Sequence, residues 1–185
     1  MKTPTIKKDL VLFLCDILTL DDSLMKLNDF KGPVVLVVTK KDLLPKVLPE
    51  IGAEKLFHGA NIQPGTPTMG SVLNGTAILS LSGNPYAAMA NFELYFWKIT
   101  CRLMNCNAWL PKIEKVTLEC EYKKVNRLRR LVRAYAKNGQ VRIPTEVHSS
   151  SVISTLTQCN CFIDIEAGKS LQKGDLVTVR YFSFT

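Results

Sequence analysis

The hydrophobic periodicity of this chain changes at Trp109-Leu110-Pro111, and that change limits the folds open to it. Before this point, short buried-strand patterns alternate with helical patterns, as in α/β layers whose strands run parallel. After it, apolar residues recur at every second position in several short runs, which is typical of a small barrel or sandwich. We therefore predict an α/β domain over residues 1–108 and an all-β domain over residues 109–185.

The helix and strand signals before the change are uneven in strength. Residues 9–14 and 32–39 predict two buried strands, and residues 41–51 predict a helix that Gly52 ends. Two more strands are expected at residues 54–58 and 76–81, with an extended loop between them. The clearest helix follows, because Asn84 is a good N-cap and Pro85 a good first helical residue.

The second part of the chain reads as five or so short strands without a helix. Val116 opens an alternation of apolar and polar residues, and four further strand patterns follow it in residues 128–136, 140–144, 159–165 and 176–182. Asn138-Gly139 is a strong signal for a two-residue hairpin turn. A unit of roughly 75 residues built this way is expected to close into a barrel or fold as a sandwich.

Composition excludes several classes of protein. With 46% hydrophobic and 22% charged residues, the chain has the composition of a globular protein and not of a disordered one. Its longest apolar runs are six residues, in residues 10–15 and 33–38, whereas a membrane-spanning helix needs about 20. No small-residue cleavage site follows the first run, so a secretory signal is not expected. We predict a cytoplasmic protein without a membrane span.

The net charge of +8 is concentrated in the second part, where residues 109–185 carry 13 of the 24 basic and 7 of the 16 acidic side chains. Within a basic run at residues 123–133, Arg127, Arg129 and Arg133 are in phase on one face of a predicted strand. That face either meets a phosphate or an acidic partner, or is the solvated outside of the barrel. Nucleic acid is not favoured, because few aromatic residues accompany the basic ones.

Six cysteines occur without a CxxC or CxxH motif, so neither a zinc site nor a disulfide framework is indicated. Cys159 and Cys161 are two residues apart, which places both thiols on one face of a strand. Reduced and partly buried thiols are the expectation.

Two segments have the residue types of a binding loop. Ser82-Gly83-Asn84-Pro85 stands between a strand and a helix, where ligands of open α/β sheets bind and where free N–H groups face an anion. Gln63-Pro64-Gly65-Thr66-Pro67 is a stiff loop that can hold backbone donors towards a ligand. The alternatives are a plain capped turn and a simple connector.

Asp42 begins a helix after a buried strand, a position common for a metal-binding or catalytic carboxylate. An N-cap explains it equally well.

In order and type, these segments resemble the molybdopterin molybdenumtransferase family, which includes bacterial MoeA and the E domain of gephyrin. Residues 63–67 stand where that family has PGKP, and Leu81-Ser82-Gly83-Asn84-Pro85 stands where it has LPGNP before a helix. In the tail, residues 148–151 correspond to the family's Gln-Gly-Ser-Gly stretch. Its closing glycine-rich pattern is matched by Gly168, Leu171, Gly174, Asp175, Val177 and Val179. The resemblance covers roughly residues 20–185.

The resemblance implies an incomplete parallel-sheet α/β domain of the MogA-like, pterin-binding type, truncated at its N-terminus, followed by a small all-β barrel. It implies molybdenum cofactor biosynthesis, with molybdate inserted into adenylated molybdopterin in the presence of Mg²⁺. Residues 63–67 and 82–85 together with Ser150 would bind the substrate, and Asp42 would be the catalytic carboxylate and the metal ligand. A homodimer or a partner chain would supply the two missing N-terminal domains.

Three departures from the family pattern are visible. The glycine-rich GGVSVG stretch is replaced by residues 34–39, which contain no glycine. Thr66 and Gln63 replace two lysines, and Ser82 replaces a proline. Charge-assisted bonds to phosphate are worth about 1.5–3 kcal/mol each, so losing both lysines would weaken binding by roughly two to four decades.

Three interpretations therefore stay open from the sequence. The chain is a molybdenum-inserting enzyme that works with a partner, a non-catalytic relative that binds a pterin or a protein, or a structural module without a ligand.

Overall fold

The computed structural model describes residues 11–15, 34–38, 44–144 and 154–183, with backbone only for 11–15, 34–38 and 154–155. Asp42, Ser150 and the helix expected after Asp21 and Asp22 lie outside the described residues.

The described elements alternate in type before residue 104 and are mainly strands after residue 112. In chain order they are β1 (Val11–Cys15), β2 (Val34–Val38), α1 (Leu44–Glu50), β3 (Glu54–His58), β4 (Ile62–Gln63), β5 (Met69–Leu73), β6 (Thr76–Ser80), α2 (Pro85–Asn91), a π-helical segment (Phe92–Phe96), α3 (Trp97–Leu103), β7 (Ile113–Leu118), β8 (Arg129–Lys137), β9 (Gln140–Arg142), a 3₁₀ segment (Ser154–Gln158), β10 (Cys161–Ile165) and β11 (Leu176–Tyr181).

The first sheet has the strand order β1-β2-β6-β5-β3. β1, β2 and β6 pair in parallel, as predicted, but β5 runs in the opposite direction and pairs antiparallel with both β6 and β3. The loop expected after β3 therefore contains a strand, β5, which forms a hairpin with β6. Its turn is Asn74-Gly75, both with positive φ (49° and 79°), as a two-residue hairpin of type I′ requires.

Helix α1 covers part of this sheet with one apolar side. Leu44 and Leu48 are buried against Met69 of β5 and Ile78 of β6. Spacings of four residues place both leucines on the same face of the helix, which is why the sequence pattern predicts this contact.

The second helical segment begins as predicted. Asn84 is the N-cap, and its Oδ1 accepts a hydrogen bond from the Ala87 N–H at 3.1 Å. Pro85 is the first helical residue. The π-helical turn at Phe92–Phe96, which periodicity does not predict, separates α2 from α3. It places the carboxylate of Glu93 in a buried position.

A small barrel of five strands follows, in the order β10-β11-β7-β9-β8, and the β8–β10 pairing closes it. The alternating residues face inwards, among them Val116, Leu118, Val132, Ile163 and Val179. The turn between β8 and β9 is Asn138-Gly139, with φ of 53° and 75°, as the sequence predicts. Of the two architectures that the sequence allows for this part, the structure has the barrel.

The middle of strand β8 is covered on both faces, and this changes the interpretation of one of its basic residues. Val132 and Ala134 face the barrel interior, while Leu131 packs with Tyr86 of α2 and Phe162 of β10. Arg133 is only 1% exposed, and its guanidinium lies 4.3 Å from the centre of the Tyr86 ring. For this arginine, the expectation of a solvated or partner-binding face was wrong, because the helix covers that face.

Tyr86 connects the helix to the barrel by a hydrogen bond as well as by packing. Its hydroxyl donates to the Leu131 carbonyl at 2.8 Å. Burial raises the pKa of Tyr86 to about 12, although the positive charge of Arg133 opposes the shift. The phenol therefore stays protonated and remains a donor over the physiological range.

Candidate functional site

The two loops singled out in the sequence emerge at the same edge of the first sheet. Ser80, the last residue of β6, pairs with Val38 at the end of β2 and with Met69 at the start of β5. The turn 82–85 follows β6, and the loop 63–67 precedes β5. This edge is the carboxyl end of the parallel strands, where open α/β sheets bind ligands. We call it the carboxyl edge.

The turn 82–85 combines a buried start with an open glycine. The Ser82 side chain is buried, and its Oγ accepts a hydrogen bond from the Asn84 N–H at 3.3 Å. A Cβ added to Gly83 would meet no atom within 4 Å, so the space beside this residue is free. Because Asn84 Oδ1 is used for capping, its side-chain NH₂ is the group that remains for a ligand.

The loop 63–67 is held by its own hydrogen bonds. The Gln63-Pro64 peptide bond is cis. Thr66 Oγ1 donates to the Ile62 carbonyl at 2.8 Å, and Thr68 Oγ1 donates to the Gly65 carbonyl at the same distance. The hydroxyl of Thr66, which stands where the family has lysine, therefore bonds within the loop.

Asn91 ties this loop to helix α2. Its side chain is fully buried, and Nδ2 donates to the Ala87 carbonyl at 2.9 Å and to the Pro64 carbonyl at 3.4 Å. A Cβ on Gly65 would lie 1.4 Å from this Nδ2, and Gly65 also has a φ of 100°. Only glycine fits at position 65, because the backbone passes directly over the amide.

Sequence reasoning missed Asn91. An asparagine inside a helix is unfavourable by propensity, since its side chain competes for backbone hydrogen bonds. An asparagine seven residues after the N-cap therefore conflicts with helix propensity. This conflict is the signal in the sequence that Asn91 makes a tertiary contact.

The two loops carry no charged side chain. β4 pairs with β8, with Ile62 opposite Arg129 and Gln63 opposite Arg130. The loop 63–67 therefore begins next to the arginines of β8. Arg129 is bound to Asp164 by two hydrogen bonds of 2.7 and 2.6 Å.

The described residues do not fit a magnesium site. Mg²⁺ requires several oxygen ligands, usually with at least one carboxylate, and neither loop contains an acidic residue. No three His, Cys, Asp or Glu side chains come together in the described part of the chain. The proposed metal ligand, Asp42, and the proposed substrate residue, Ser150, are outside the described residues.

The cysteines agree with the expectation of reduced thiols. Of the cysteines in the described residues, Cys101, Cys106, Cys120, Cys159 and Cys161 form no disulfide. Burial raises the pKa of the Cys161 thiol to about 12, helped by the neighbouring Cys159, so Cys161 is not a reactive nucleophile at neutral pH. In the described residues, no helix is both long and apolar enough to cross a membrane.

The barrel strands match a known protein family. Residues 115–182 match the family described as "MoeA C-terminal region (domain IV)". This range begins inside β7 and ends at the residue after β11, so it includes most of β7 and all of the other four barrel strands.

Curated relatives extend the similarity into the first part of the chain. A molybdopterin molybdenumtransferase of Staphylococcus epidermidis is 33% identical over 142 residues, which are 75% of this chain and 34% of that protein. The Staphylococcus aureus protein of the same name is 28% identical over 130 residues, 69% of this chain and 31% of the relative. The chain thus spans about one third of the length of these relatives.

Solved structures show the same fold. A MoeA protein of Pyrococcus horikoshii superposes with a TM-score of 0.71 at 23% identity, over 90% of this chain and 41% of that one. A molybdenum cofactor biosynthesis protein of Pyrococcus furiosus gives a TM-score of 0.65 at 20% identity, over 88% and 54%. The chain therefore carries a MoeA C-terminal domain at residues 115–182 and shares the fold of the MoeA structures. Over three quarters of its length it is similar to a protein named molybdopterin molybdenumtransferase.

Proposed function

We propose that this chain acts in molybdenum cofactor biosynthesis by binding a molybdopterin-type ligand at its carboxyl edge. The observation that carries this proposal is the pairing of Ser80 with both Val38 and Met69. It brings the loop 63–67 and the turn 82–85 to one edge, although they are separated by a hairpin in sequence. In this assignment, residues 1–108 form the pterin-binding domain and residues 109–185 the barrel domain.

Within such a complex, each segment has a distinct task. The open space at Gly83 lets a ligand approach the backbone at the start of the helix, where N–H groups favour an anion. The side-chain NH₂ of Asn84 donates to a pterin or phosphate oxygen. Asn91, through Pro64 and Gly65, fixes the loop 63–67 at the opposite side of the same ligand.

The reaction that this similarity favours is insertion of molybdate into adenylated molybdopterin. The chain's own loops offer neutral donors only, whereas an adenylated ligand is strongly anionic. We therefore propose that a second copy or a partner chain contributes the missing cationic groups and completes the site. Asp42 and Ser150 are proposed as a catalytic, metal-binding carboxylate and as a substrate-binding residue.

A second candidate is a non-catalytic relative that binds a pterin or a protein. The bond from Thr66 Oγ1 to the Ile62 carbonyl favours this candidate, because the side chain at the family's lysine position bonds within the loop. The two candidates differ in molybdate insertion, not in the location of the site.

Calorimetric titration of molybdopterin, and then of its adenylate, into the chain with and without Mg²⁺ tests the proposal. Micromolar binding, followed by molybdate insertion once a longer relative's remaining domains are added, would support the enzyme. Binding without insertion would identify the non-catalytic relative. No binding at high micromolar ligand would contradict both the enzyme and the pterin-binding relative, and would leave a relative that binds a protein.

A Gly83→Val variant locates the ligand. Because a Cβ at this position meets nothing within 4 Å, we expect the melting temperature to stay unchanged while the bulky side chain blocks access and weakens binding at least tenfold. Gly83→Ala is the graded control and should weaken binding less. Unchanged affinity in Gly83→Val would remove the turn 82–85 from the site.

A further inference from the structure

A cavity of about 150 Å³ lies where the helical segment meets the barrel, away from the carboxyl edge. Ala90 and Leu94 of the helical segment form one wall, and Leu131 and Phe162 of the barrel form the other. The connecting segment closes it with Leu110, Pro111 and Ile113. A cavity of roughly this size has room for a six-membered aromatic ring.

The rim of this cavity is charged, with Glu93, Lys98 and Arg180 among its residues. Glu93 is already engaged, because its Oε2 accepts hydrogen bonds from the Ser183 N–H at 3.2 Å and from the Ser183 hydroxyl at 2.5 Å. Of the charged rim groups, Lys98 is therefore the one left to meet a ligand, together with the terminal nitrogens of Arg180, whose Nε is bonded to Asp164 at 2.7 Å.

Lys98 has no ion-pair partner in the described part of the chain. Partial burial lowers the pKa of Lys98, and the positive charges of Arg180 and Arg129 lower it further. A single carboxylate, Asp164, is shared by both arginines, at 2.6 Å from Arg129 Nη2 and 2.7 Å from Arg180 Nε. A bound anion at the rim would offset the repulsion among the three cations.

The mouth of the cavity also exposes apolar surface. Leu110 is 43% and Ile113 52% exposed, and both line the cavity. A ligand that fills the cavity would cover part of these side chains, and burial of apolar area favours binding.

We propose that this cavity binds a small monoanion with an apolar ring, an arylalkyl carboxylate. The ring lies between Leu94, Leu131 and Phe162, and the carboxylate meets Lys98 and Arg180. The proposal is independent of the molybdopterin site, because it uses none of residues 63–67 or 82–85.

Phenylacetate is the probe, with phenylacetamide and phenethylamine as controls of the same shape without charge and with the opposite charge. In a ¹³C-methyl NMR titration, we expect phenylacetate to shift the methyl signals of Leu94 and Leu131 with a dissociation constant on the order of 0.1–1 mM. The amide should bind at least tenfold more weakly, and the amine should not bind.

Two variants with one matched control complete the test. Lys98→Met keeps the apolar stem and should erase the preference for phenylacetate over phenylacetamide. Lys112→Met is the control, because Lys112 is already paired with Glu114 at 2.9 Å beside the Tyr181 ring. Ala90→Leu fills the cavity and should abolish binding, provided that the melting temperature shows a folded protein.

Equal affinity for the acid and the amide would overturn the proposal, as would methyl shifts confined to residues outside the cavity. If the Lys98→Met variant still preferred phenylacetate over phenylacetamide, the proposal would be overturned as well. Lys98 is exposed, so this test remains valid even if the Ala90→Leu variant does not fold.

Discussion

Asn91 and Gly65 show how one buried amide dictates the residue opposite it. The amide donates to backbone carbonyls of both the helix and the loop, and the glycine leaves the space that the amide needs. The sequence pattern Pro-Gly-Thr-Pro predicts a stiff loop with a left-handed residue, which Gly65 confirms with its φ of 100°. It does not predict the partner, since a contact over 26 residues depends on how helix and sheet pack.

Replacing Gly65 by alanine should therefore be strongly destabilising, by about 2–4 kcal/mol, because strain at positive φ adds to the clash with Asn91. Gly59→Ala is the matched control, as Gly59 also has a positive φ (91°) but its added Cβ would meet only the Thr66 carbonyl at 3.8 Å. Urea unfolding of both variants measures the difference.

The double variant Gly65→Ala with Asn91→Ala separates the two causes. If the clash matters, the double variant should lose less stability than the sum of the single variants. Strictly additive losses would contradict the role given to Asn91.

At the scale of elements, strand β8 carries the contact between the two parts of the molecule. Its residues alternate between the barrel interior and the interface with the helix. The charged residues in its sequence suggest one solvent-exposed face, but in the middle of the strand both faces are covered. Its outer face, with β10 and β11, holds the Arg129–Asp164–Arg180 cluster. Burial alone would raise the pKa of Asp164, but hydrogen bonds from both arginines outweigh it and hold the pKa below its ordinary value of 3.8.

Asp164→Asn should destabilise the fold by about 2 kcal/mol at neutral pH, because the two arginines then face each other without a carboxylate. Since the folded-state pKa is lowered, the stabilisation by Asp164 is complete above pH about 4 and is lost as the pH falls through the folded-state pKa. Chemical denaturation at a series of pH values should therefore show the two proteins converging in acid.

The control for this prediction is Glu166→Gln. Glu166 pairs with Lys169 at 2.6 Å on the surface, with its side chain 75% exposed, so its loss should change stability little. A constant difference between Asp164→Asn and the parent protein from pH 7 to pH 2 would show that the arginines do not act through the charge of Asp164.

At the scale of the whole molecule, the two parts share an apolar cluster. Ile62 of β4 and Tyr86 of α2 pack with Leu131 and Phe162 of the barrel, and β4 pairs directly with β8. The change of periodicity that separates residues 1–108 from residues 109–185 therefore marks a change of architecture, while this shared cluster couples the stability of the two parts.

This coupling predicts a single unfolding transition. Trp97 and Trp109 report on the helical segment and its connection, and the far-ultraviolet circular dichroism reports on all elements, so both signals should change at the same urea concentration. Tyr86→Phe removes the bond to the Leu131 carbonyl, costs about 1 kcal/mol, and should shift both curves together. Separate midpoints in the parent protein would show independent parts.

The sequence by itself determined the features that depend on neighbouring residues. These are the capped start of α2 at Asn84-Pro85, the alternation of the barrel strands, and the hairpin at Asn138-Gly139. The strand at residues 69–73 also had a local signal, because the Asn74-Gly75 turn follows it. Apolar and polar residues alternate only weakly within this strand, and it was therefore not predicted. The family resemblance also rested on short motifs, and comparison with known proteins confirmed it.

Only the tertiary structure decided which segments meet. The sheet order placed the loops 63–67 and 82–85 at one edge, and helix packing buried Arg133. Packing also brought the Asn91 amide to the Pro64 carbonyl, beside Gly65. The physical reason is that helix caps, turns and strand alternation are fixed by interactions within a few residues. Register, burial and charge partners depend instead on the free energy of packing segments that are distant in the chain.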